Sequence, residues 1–273
     1  MIDLHLHTSA SDGALRPADL VARAAAAGIT TLSVTDHDTV GGLDEARSEA
    51  ASRGLTLVNG IEITAVEDER DIHLLGYFFD PSDLILRAFL LRQRDDRIRR
   101  IREIADRLES IGAPIDREPL IARGLEEGRT VGRPHVAAAL LARGYVQSWD
   151  EAFDRYLEKG RPAFVSRCGA SAAQVVGVIR EAGGLASLAH PGLSRIDAQI
   201  PGLARAGLDA IEVRHSEHDP PTEARYRALA ATLGLAVSGG SDFHAEGSVR
   251  RSALGTVTMT AEDFRELEAR RRA

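Results

Sequence analysis

The amino-acid sequence predicts an α/β barrel interrupted by an all-helical insertion. Strand-like apolar runs alternate with helix-like segments almost from end to end, the order that builds parallel strands joined by helical crossovers. The rhythm stops between about Leu84 and Phe164, where no β pattern is found. Imidazoles and carboxylates also stand at the ends of strand after strand, where α/β barrels assemble their active sites.

The elements follow in order. The first strand, near 2–6, contains Ile2-Asp3-Leu4-His5-Leu6-His7, and the i, i+2 spacing puts His5 and His7 on one face. A helix from Pro17 to Ala27 follows, with proline in its first turn and Gly28 as its stop. A strand near 29–35 leads to His37, and a helix over Leu43–Arg53 is closed by Gly54. Strands near 56–63 and 72–79 carry Glu62 and His73. The interrupting segment opens on a charged helix with Arg92, Arg94, Arg97, Arg99, Arg100 and Arg102, and with Ile98, Ile101, Ile104 and Leu108 at helical spacing. Beyond it come a helix over Ser171–Ala182, a strand near 185–190 ending in His190, and a helix over Arg195–Ala206. A strand near 209–214, a helix over Thr222–Leu233, a strand near 235–241 leading to Asp242 and His244, and a helix over Ala261–Arg271 complete the chain. That makes seven strands, one short of the standard eight. The expected organisation is a barrel from 1–83 and 165–273 with a helical insertion over 84–164 that packs on it.

A length of 273 residues suits one large α/β barrel or two modest domains, and a barrel with an insertion satisfies both. The formal charge of −7 argues against broad adhesion to nucleic acid. A lone cysteine, Cys168, forms no intramolecular disulfide, and the N-terminus lacks a secretory pattern, so a cytoplasmic location is expected. No apolar run approaches the roughly 18–20 residues that cross a bilayer, so no membrane role is expected.

Imidazole and carboxylate are good ligands for Zn, Mn and Fe, and bridging carboxylates allow ions to sit close together. One histidine at a strand end is more often structural than a ligand, but six at the same end of successive strands argue for a metal site. The carboxylates have ordinary alternatives: Asp12 setting a turn with Gly13, Glu62 capping an element, Asp242 holding His244. Asp36 and Asp38 are read either as partners that orient ligands or as caps of the Leu43 helix.

The motifs His5-Leu6-His7 with Asp12-Gly13, Thr35-Asp36-His37-Asp38, Gly60-Ile61-Glu62, His73-Leu74-Leu75-Gly76, Ala189-His190-Pro191 and Gly240-Ser241-Asp242-Phe243-His244 resemble the PHP (polymerase and histidinol phosphatase) family across almost the whole chain. The resemblance implies a distorted (β/α)7 TIM-like barrel with a trinuclear metal site. It also implies one ion held by His5, His7, Glu62 and Asp242, a second sharing Glu62 with His73 and His190, and a third held by Asp12, His37 and His244. Manganese is the expected metal, with iron and zinc as alternatives. Clustered divalent ions activate water and stabilise a leaving alkoxide, so a metal-bridging hydroxide at Glu62 is the expected nucleophile, and neither a serine nor Cys168 is needed.

Phosphate esters suit such a centre, with cationic side chains neutralising the remaining oxygens. Arg133 and His135 of Gly132-Arg133-Pro134-His135, and Lys159 of Lys159-Gly160-Arg161-Pro162, are expected to hold substrate phosphate. His215 and His218, after the sixth strand, are expected to contact phosphate or donate a proton, with loop packing as the alternative. The compact chain, the insertion after the His73 strand and the Gly-Arg-Pro-His motif resemble the PHP branch of nucleoside 3′,5′-bisphosphate phosphatases, also described as short-RNA 5′→3′ exonucleases of the RNase AM type. That resemblance implies removal of the 3′-phosphate to leave a 5′-mononucleotide, and cleavage of the same bond in short 5′-phosphorylated RNA. The expected partner is a small nucleotide or short RNA, not duplex DNA, and no obligate protein partner. The alternatives are a histidinol-phosphate phosphatase and an accessory or proofreading domain working with a polymerase.

Overall fold

The computed structural model describes residues 1–245 and 253–272. Strand β1 (Ile2–Leu6), helix α1 (Pro17–Ala26), β2 (Thr31–Val34), α2 (Leu43–Ser52), β3 (Thr56–Glu67) and β4 (Arg70–Tyr77) form the first half of the barrel. Helices α3 (Leu84–Ser110), α4 (Glu118–Leu125), α5 (Arg133–Ala142) and α6 (Trp149–Ala152), with a π-helical turn over Phe153–Leu157, form the interruption, and no strand occurs in it. The second half runs α7 (Ala172–Glu181), β5 (Leu185–Leu188), α8 (Pro191–Ser194), α9 (Ile200–Ala206), β6 (Ala210–Arg214), α10 (Pro220–Leu233), β7 (Ala236–Gly239) and α11 (Ala261–Glu268).

The seven strands hydrogen-bond in sequence order. Closure is made by the Leu6–Phe243 bridge and by the His7 N–H donating to the Phe243 carbonyl at 3.0 Å. A Cβ at Gly240 would fall 2.3 Å from the His5 nitrogen, so only glycine lets the two edges meet there. These features make a nearly closed, distorted seven-stranded α/β barrel, as expected.

One expectation about the strands needs correction. They are not uniformly parallel: β4 runs antiparallel to both β3 and β5, with Thr64 opposite His73 and Leu75 opposite Ser187. The turn between β3 and β4 uses Asp68 at φ 49° and Glu69 at φ 60°. Two positive-φ residues are what a tight hairpin of this twist demands, usually met by Asn-Gly or Asp-Gly. The reversal has a consequence for the site, because it carries His73, near the start of its strand, to the rim where the other strands end. The helix expected over Arg195–Ala206 starts late: α8 ends at Ser194, Arg195 lies in the left-handed region, a 3₁₀ turn covers Asp197–Gln199, and α9 begins at Ile200 with Pro201 in its first turn.

Among the described residues, three buried clusters organise the core. Leu6, Leu32, Ile61, Leu74, Leu188, Ile211 and Val237 join Leu20, Val175 and Ile179 between strands and helices. Ile98, Ile101, Ile104 and Leu108, the predicted stripe on α3, form a separate cluster with Val136, Leu140 and Leu157. Leu4, Val58, Leu75, Tyr77, Leu185 and Ala210 from the strands form the third with Leu267 of α11. Helix α3 serves the first two, since Leu86 and Phe89 near its start belong to the first cluster. Asp83 caps it by accepting from the Ile85 and Leu86 amides.

Candidate metal centre

The strands also bury a polar set, with Asp3, His5, Ser33, Glu62, Ser187, Glu212 and Ser238 all fully enclosed. Unpaired polar groups in such a place cost several kcal/mol, on the order of 2–7. The ring and carboxylate atoms therefore need partners.

Glu62 on β3 is the hub. Its Oε2 lies 3.3 Å from His5 Nε2, 3.1 Å from His7 Nε2 and 3.2 Å from His37 Nδ1. Its Oε1 lies 2.8 Å from His73 Nδ1 and 3.1 Å from His190 Nε2. Asp242 Oδ1 is 3.4 Å from His5 Nε2 and 3.2 Å from His7 Nε2. Asp12 stands 3.3 Å from His244 Nε2 and 3.7 Å from both His7 Nδ1 and His37 Nε2. The nine residues singled out from sequence thus converge on one end of the barrel.

Among the described residues, the donor atoms fall into four groups of the size an ion needs: His5, His7, Glu62 and Asp242; His7, Asp12, His37 and His244; His37, Glu62 and His73; and His5, Glu212 and His215. His190 belongs to none of them and joins through Glu62. The buried atoms His5 Nε2, both His7 ring nitrogens, His37 Nδ1, His73 Nδ1, Glu62 Oε2 and His244 Nε2 have no hydrogen-bond partner of their own. Buried polar atoms are otherwise almost always paired. Nitrogen and oxygen donors in these numbers fit divalent Mn, Fe or Zn.

Charge points the same way. Burial raises the Glu62 carboxyl, but the imidazoles of His37, His73 and His5 hold it well below its usual value. Burial likewise pulls His37 well below an ordinary imidazole, while His5 is drawn well above by Glu212, Asp242 and Glu62 against the pull of burial. The imidazoles cannot all carry protons, and the carboxylates call for cations in their place.

Supporting groups hold these side chains in place. His190 at φ 26° and Asp242 at φ 52° are kept in sparsely populated backbone regions at the ends of their strands. Glu212 on β6 takes His5 Nδ1 at 2.9 Å through one oxygen and the His190 amide at 2.8 Å through the other. His244 Nδ1 donates to the Asp242 carbonyl at 2.9 Å, which leaves Nε2 as the free acceptor. Asp36 accepts from the Thr8 amide, the Thr8 hydroxyl and the Ser11 hydroxyl. Asp38 accepts from the Thr64 amide and Arg97. Neither aspartate caps α2, whose N-cap is Gly42.

The centre opens into a cavity of about 130 Å³ lined by Asp12, His37 and His73 on one side and by Arg97, Arg100, Arg133, His135 and Arg167 on the other. The arginines surround two carboxylates. Asp38 pairs with Arg97 at 2.5 Å and lies 3.6 Å from Arg167, while Asp71 meets Arg133 at 3.0 Å, Arg100 at 3.2 Å and Arg167 at 3.5 Å. Four guanidinium groups on two aspartates leave an excess of positive charge. Burial, then repulsion from Arg97, pulls Arg167 down to about 10, and its Nε and Nη1 have no hydrogen-bond acceptor. A larger groove of about 730 Å³ between α3 and α7 holds none of the imidazoles.

Three residues expected from sequence to contact substrate do not line the cavity at the metal centre. Lys159 is half exposed and bound to the β3–β4 turn, with its ammonium 3.0 Å from Glu69 and 3.1 Å from the Asp68 carbonyl. His215 accepts from the Glu217 amide through Nδ1, leaving Nε2 to donate to Asp242 Oδ2 at 3.2 Å. His218 donates to the Val213 carbonyl and accepts from the Gly192 amide, so both its nitrogens are committed. Neither histidine lines the cavity. Their loop-packing alternative fits this geometry, and His215 orients Asp242.

Sequence reasoning passed over Glu212, Arg167 and the roles of Arg97 and Arg100. From sequence, Arg97 and Arg100 count only among the arginines of a charged helix and carry no role, yet they are 6% and 4% exposed. A signal existed, because Arg97 precedes Ile101 and Ile104 at helical spacing and so shares their inward face. Glu212 offered one too, as a carboxylate set between Ile211 and Val213 in a strand.

Burial, reinforced by nearby Arg123, lowers His135 to about 4. A histidine with a depressed folded value stays neutral while its unfolded form takes up a proton below about 6.5, so stability falls as pH drops from 6.5 toward 4. The urea midpoint should accordingly fall more steeply with acid in the wild type than in His135→Gln, with up to about 1.4 kcal/mol per pH unit between them. Parallel curves would show that His135 is not held neutral.

Residues 3–126 match the PHP domain family. A 3′,5′-nucleoside bisphosphate phosphatase of Chromobacterium violaceum is 36% identical over 98% of this chain and 97% of its own length. The 5′-3′ exoribonuclease Rnm of Escherichia coli is 36% identical over 89% of this chain and 84% of its own. A solved structure from Bifidobacterium adolescentis, classed with metal-dependent phosphoesterases, superposes with a TM-score of 0.90 at 33% identity, covering 100% of this chain and 96% of that one.

Proposed function

The chain belongs to the PHP family and is a metal-dependent phosphoesterase, and on that premise we propose that it hydrolyses the 3′-phosphate of nucleoside 3′,5′-bisphosphates to a 5′-mononucleotide and phosphate. The observation that carries the substrate choice is the two-sided cavity: metal-type donors on one wall and unbalanced guanidinium groups on the other. A ligand with two phosphate groups matches both walls at once. Short 5′-phosphorylated RNA offers the same pair, a terminal phosphate and a 3′ oxygen–phosphorus bond one nucleotide away. The E. coli exoribonuclease among the relatives supports that second substrate.

His5, His7, Glu62 and Asp242 would hold one divalent ion, Glu62 a second with His73 and His190, which lie 2.8 Å and 3.1 Å from its Oε1, and Asp12, His37 and His244 a third, with Mn, Fe or Zn compatible. When bound, such ions lower the pKa of water, polarise phosphoryl oxygens and stabilise the departing alkoxide. Arg133 and Arg167 bind and orient the second phosphate, since their guanidinium forks match phosphate oxygens. Neutral His135 at the start of α5 adds a hydrogen-bonding group without further charge. The segment over 84–164 serves as an insertion that contributes Arg97, Arg100, Arg133 and His135 to this cationic wall, with Arg167 added by the barrel chain just beyond it. No helix among the described residues is long and apolar enough to cross a membrane, and a small nucleotide substrate suits a cytoplasmic location.

A panel of adenosine 3′,5′-bisphosphate, histidinol phosphate and a short 5′-phosphorylated RNA, each offered to the metal-loaded protein, tests the reading. Phosphate and 5′-AMP should appear from the first and mononucleotide from the third. Turnover of histidinol phosphate alone would overturn the substrate choice. In the same assay Arg133→Ala should raise KM about tenfold or more with a smaller change in kcat, because a hydrogen bond to a charged group is worth roughly 1.5–3 kcal/mol. An unchanged KM removes Arg133 from the phosphate site.

A further inference from the structure

The loop over residues 8–13 that carries Asp12 is fixed from two sides. On the barrel side, Asp36 takes the Thr8 amide at 2.8 Å and the Thr8 and Ser11 hydroxyls at 2.6 Å each. On the other side, three successive backbone carbonyls accept hydrogen bonds from the helical segment. Arg123 Nη2 donates to the Ser9 carbonyl at 2.7 Å and the Ser11 carbonyl at 2.6 Å, and the Thr130 amide donates to the Ala10 carbonyl at 2.9 Å. The same guanidinium donates through Nε to the Thr130 carbonyl at 3.1 Å, so the two donors to the loop are also tied to each other. A second clasp lies close by: Thr39 donates to the Gly128 carbonyl at 3.0 Å, and a Cβ at Gly41 would fall 2.1 Å from that oxygen.

Within the loop the Gly13 amide donates to the Thr8 carbonyl at 2.9 Å and the Ala14 amide to the His244 carbonyl at 2.8 Å, but these fix the backbone and not the Asp12 carboxylate. Its carboxylate meets the imidazoles of His244, His37 and His7 at 3.3–3.7 Å and its buried Oδ1 has no hydrogen-bond partner, so it goes where the loop backbone puts it. We propose that Arg123 is a positioning residue for the ion site formed by Asp12, His37 and His244, and that docking of the helical segment through Arg123 completes the metal centre. This inference rests on the three-ion reading above. It gives the segment a second duty, since the element that supplies Arg97, Arg100 and Arg133 to the cationic wall also sets one ligand of the site opposite. Arginine suits the task because a planar fork reaches several carbonyls at once, which a lysine ammonium on a flexible stem does not.

Stepwise Mn²⁺ binding to the full chain, measured by calorimetry and by counting free Mn²⁺ with electron paramagnetic resonance, tests it. The wild type should bind three ions. In Arg123→Ala one equilibrium should weaken about 10- to 100-fold, the usual cost of removing a group behind a ligand, while the other two keep their affinity. Amides of residues 8–13 in the metal-free variant should exchange hydrogen faster than in the wild type. Arg123→Lys, which keeps charge and helix, should fall between the two and carries the test if the alanine variant does not fold. Arg117→Ala, on an exposed arginine paired with Asp106, should change nothing. Three wild-type affinities in Arg123→Ala overturn the positioning role, as does equal weakening of all three. Fewer than three ions in the wild type overturns instead the reading on which it rests.

Discussion

Replacing Glu62 with alanine should abolish metal loading and turnover together. Glu62 touches five imidazoles, those of His5, His7, His37, His73 and His190, whereas Asp242 reaches only His5 and His7 of these and Asp12 only His7 and His37. Removing a group that only supports a ligand costs about 10- to 100-fold, so loss of the shared carboxylate should lower phosphate release by more than about 100-fold. Glu62→Gln keeps the shape and removes the charge. It should lose metal nearly as completely, because an amide oxygen is a weaker ligand and its NH₂ faces imidazole nitrogens. Elemental analysis of the purified variants, beside activity at saturating Mn²⁺, gives the answer, and a metal count unchanged from wild type would contradict the assignment.

The second large effect concerns stability. Asp38 is 2% exposed, held at φ 53°, and faces the guanidinium groups of Arg97 and Arg167. Burial alone would raise its carboxyl, but Arg97 and then Arg167 keep it below its ordinary value, so it is the charged form that the fold uses. Asp38→Ala would leave buried guanidinium without its counter-charge, which typically costs about 3–5 kcal/mol. For a protein of this size that corresponds to a fall in Tm on the order of 10 °C. Asp38→Asn keeps one acceptor for the Thr64 amide and should cost less. A melting point for Asp38→Ala within about 2 °C of wild type would show that the arginines find other partners.

Much of the centre was legible because its ligands are tied to strand ends, and apolar runs mark strand ends well. His5 and His7 needed only the two-residue repeat of a β-strand, and Glu62, His190, Asp242 and His244 only the runs before them. His73 is a different case. It sits near the start of β4 and reaches the centre because β4 is reversed. The hairpin behind that reversal turns through Asp68-Glu69, which carries no glycine or asparagine to announce it. The cationic wall was the least legible part. Arginines in a helix usually read as solvated, and the burial of Arg97 and Arg100 depends on Asp38 and Asp71, which lie 59 and 29 residues away in sequence. The positions of Lys159, His215 and His218 were decided by loop contacts that no local pattern encodes.

The measurement that bears most directly on the whole account follows adenosine 3′,5′-bisphosphate by phosphorus NMR with the metal-loaded protein, the chelated protein and the chelated protein resupplied with Mn²⁺. Loaded and resupplied protein should each convert the substrate to equal amounts of 5′-AMP and inorganic phosphate, and chelated protein should leave it intact. Formation of 3′-AMP, or hydrolysis that persists after chelation, would contradict a metal centre that cleaves the 3′-ester while the arginine wall holds the 5′-phosphate.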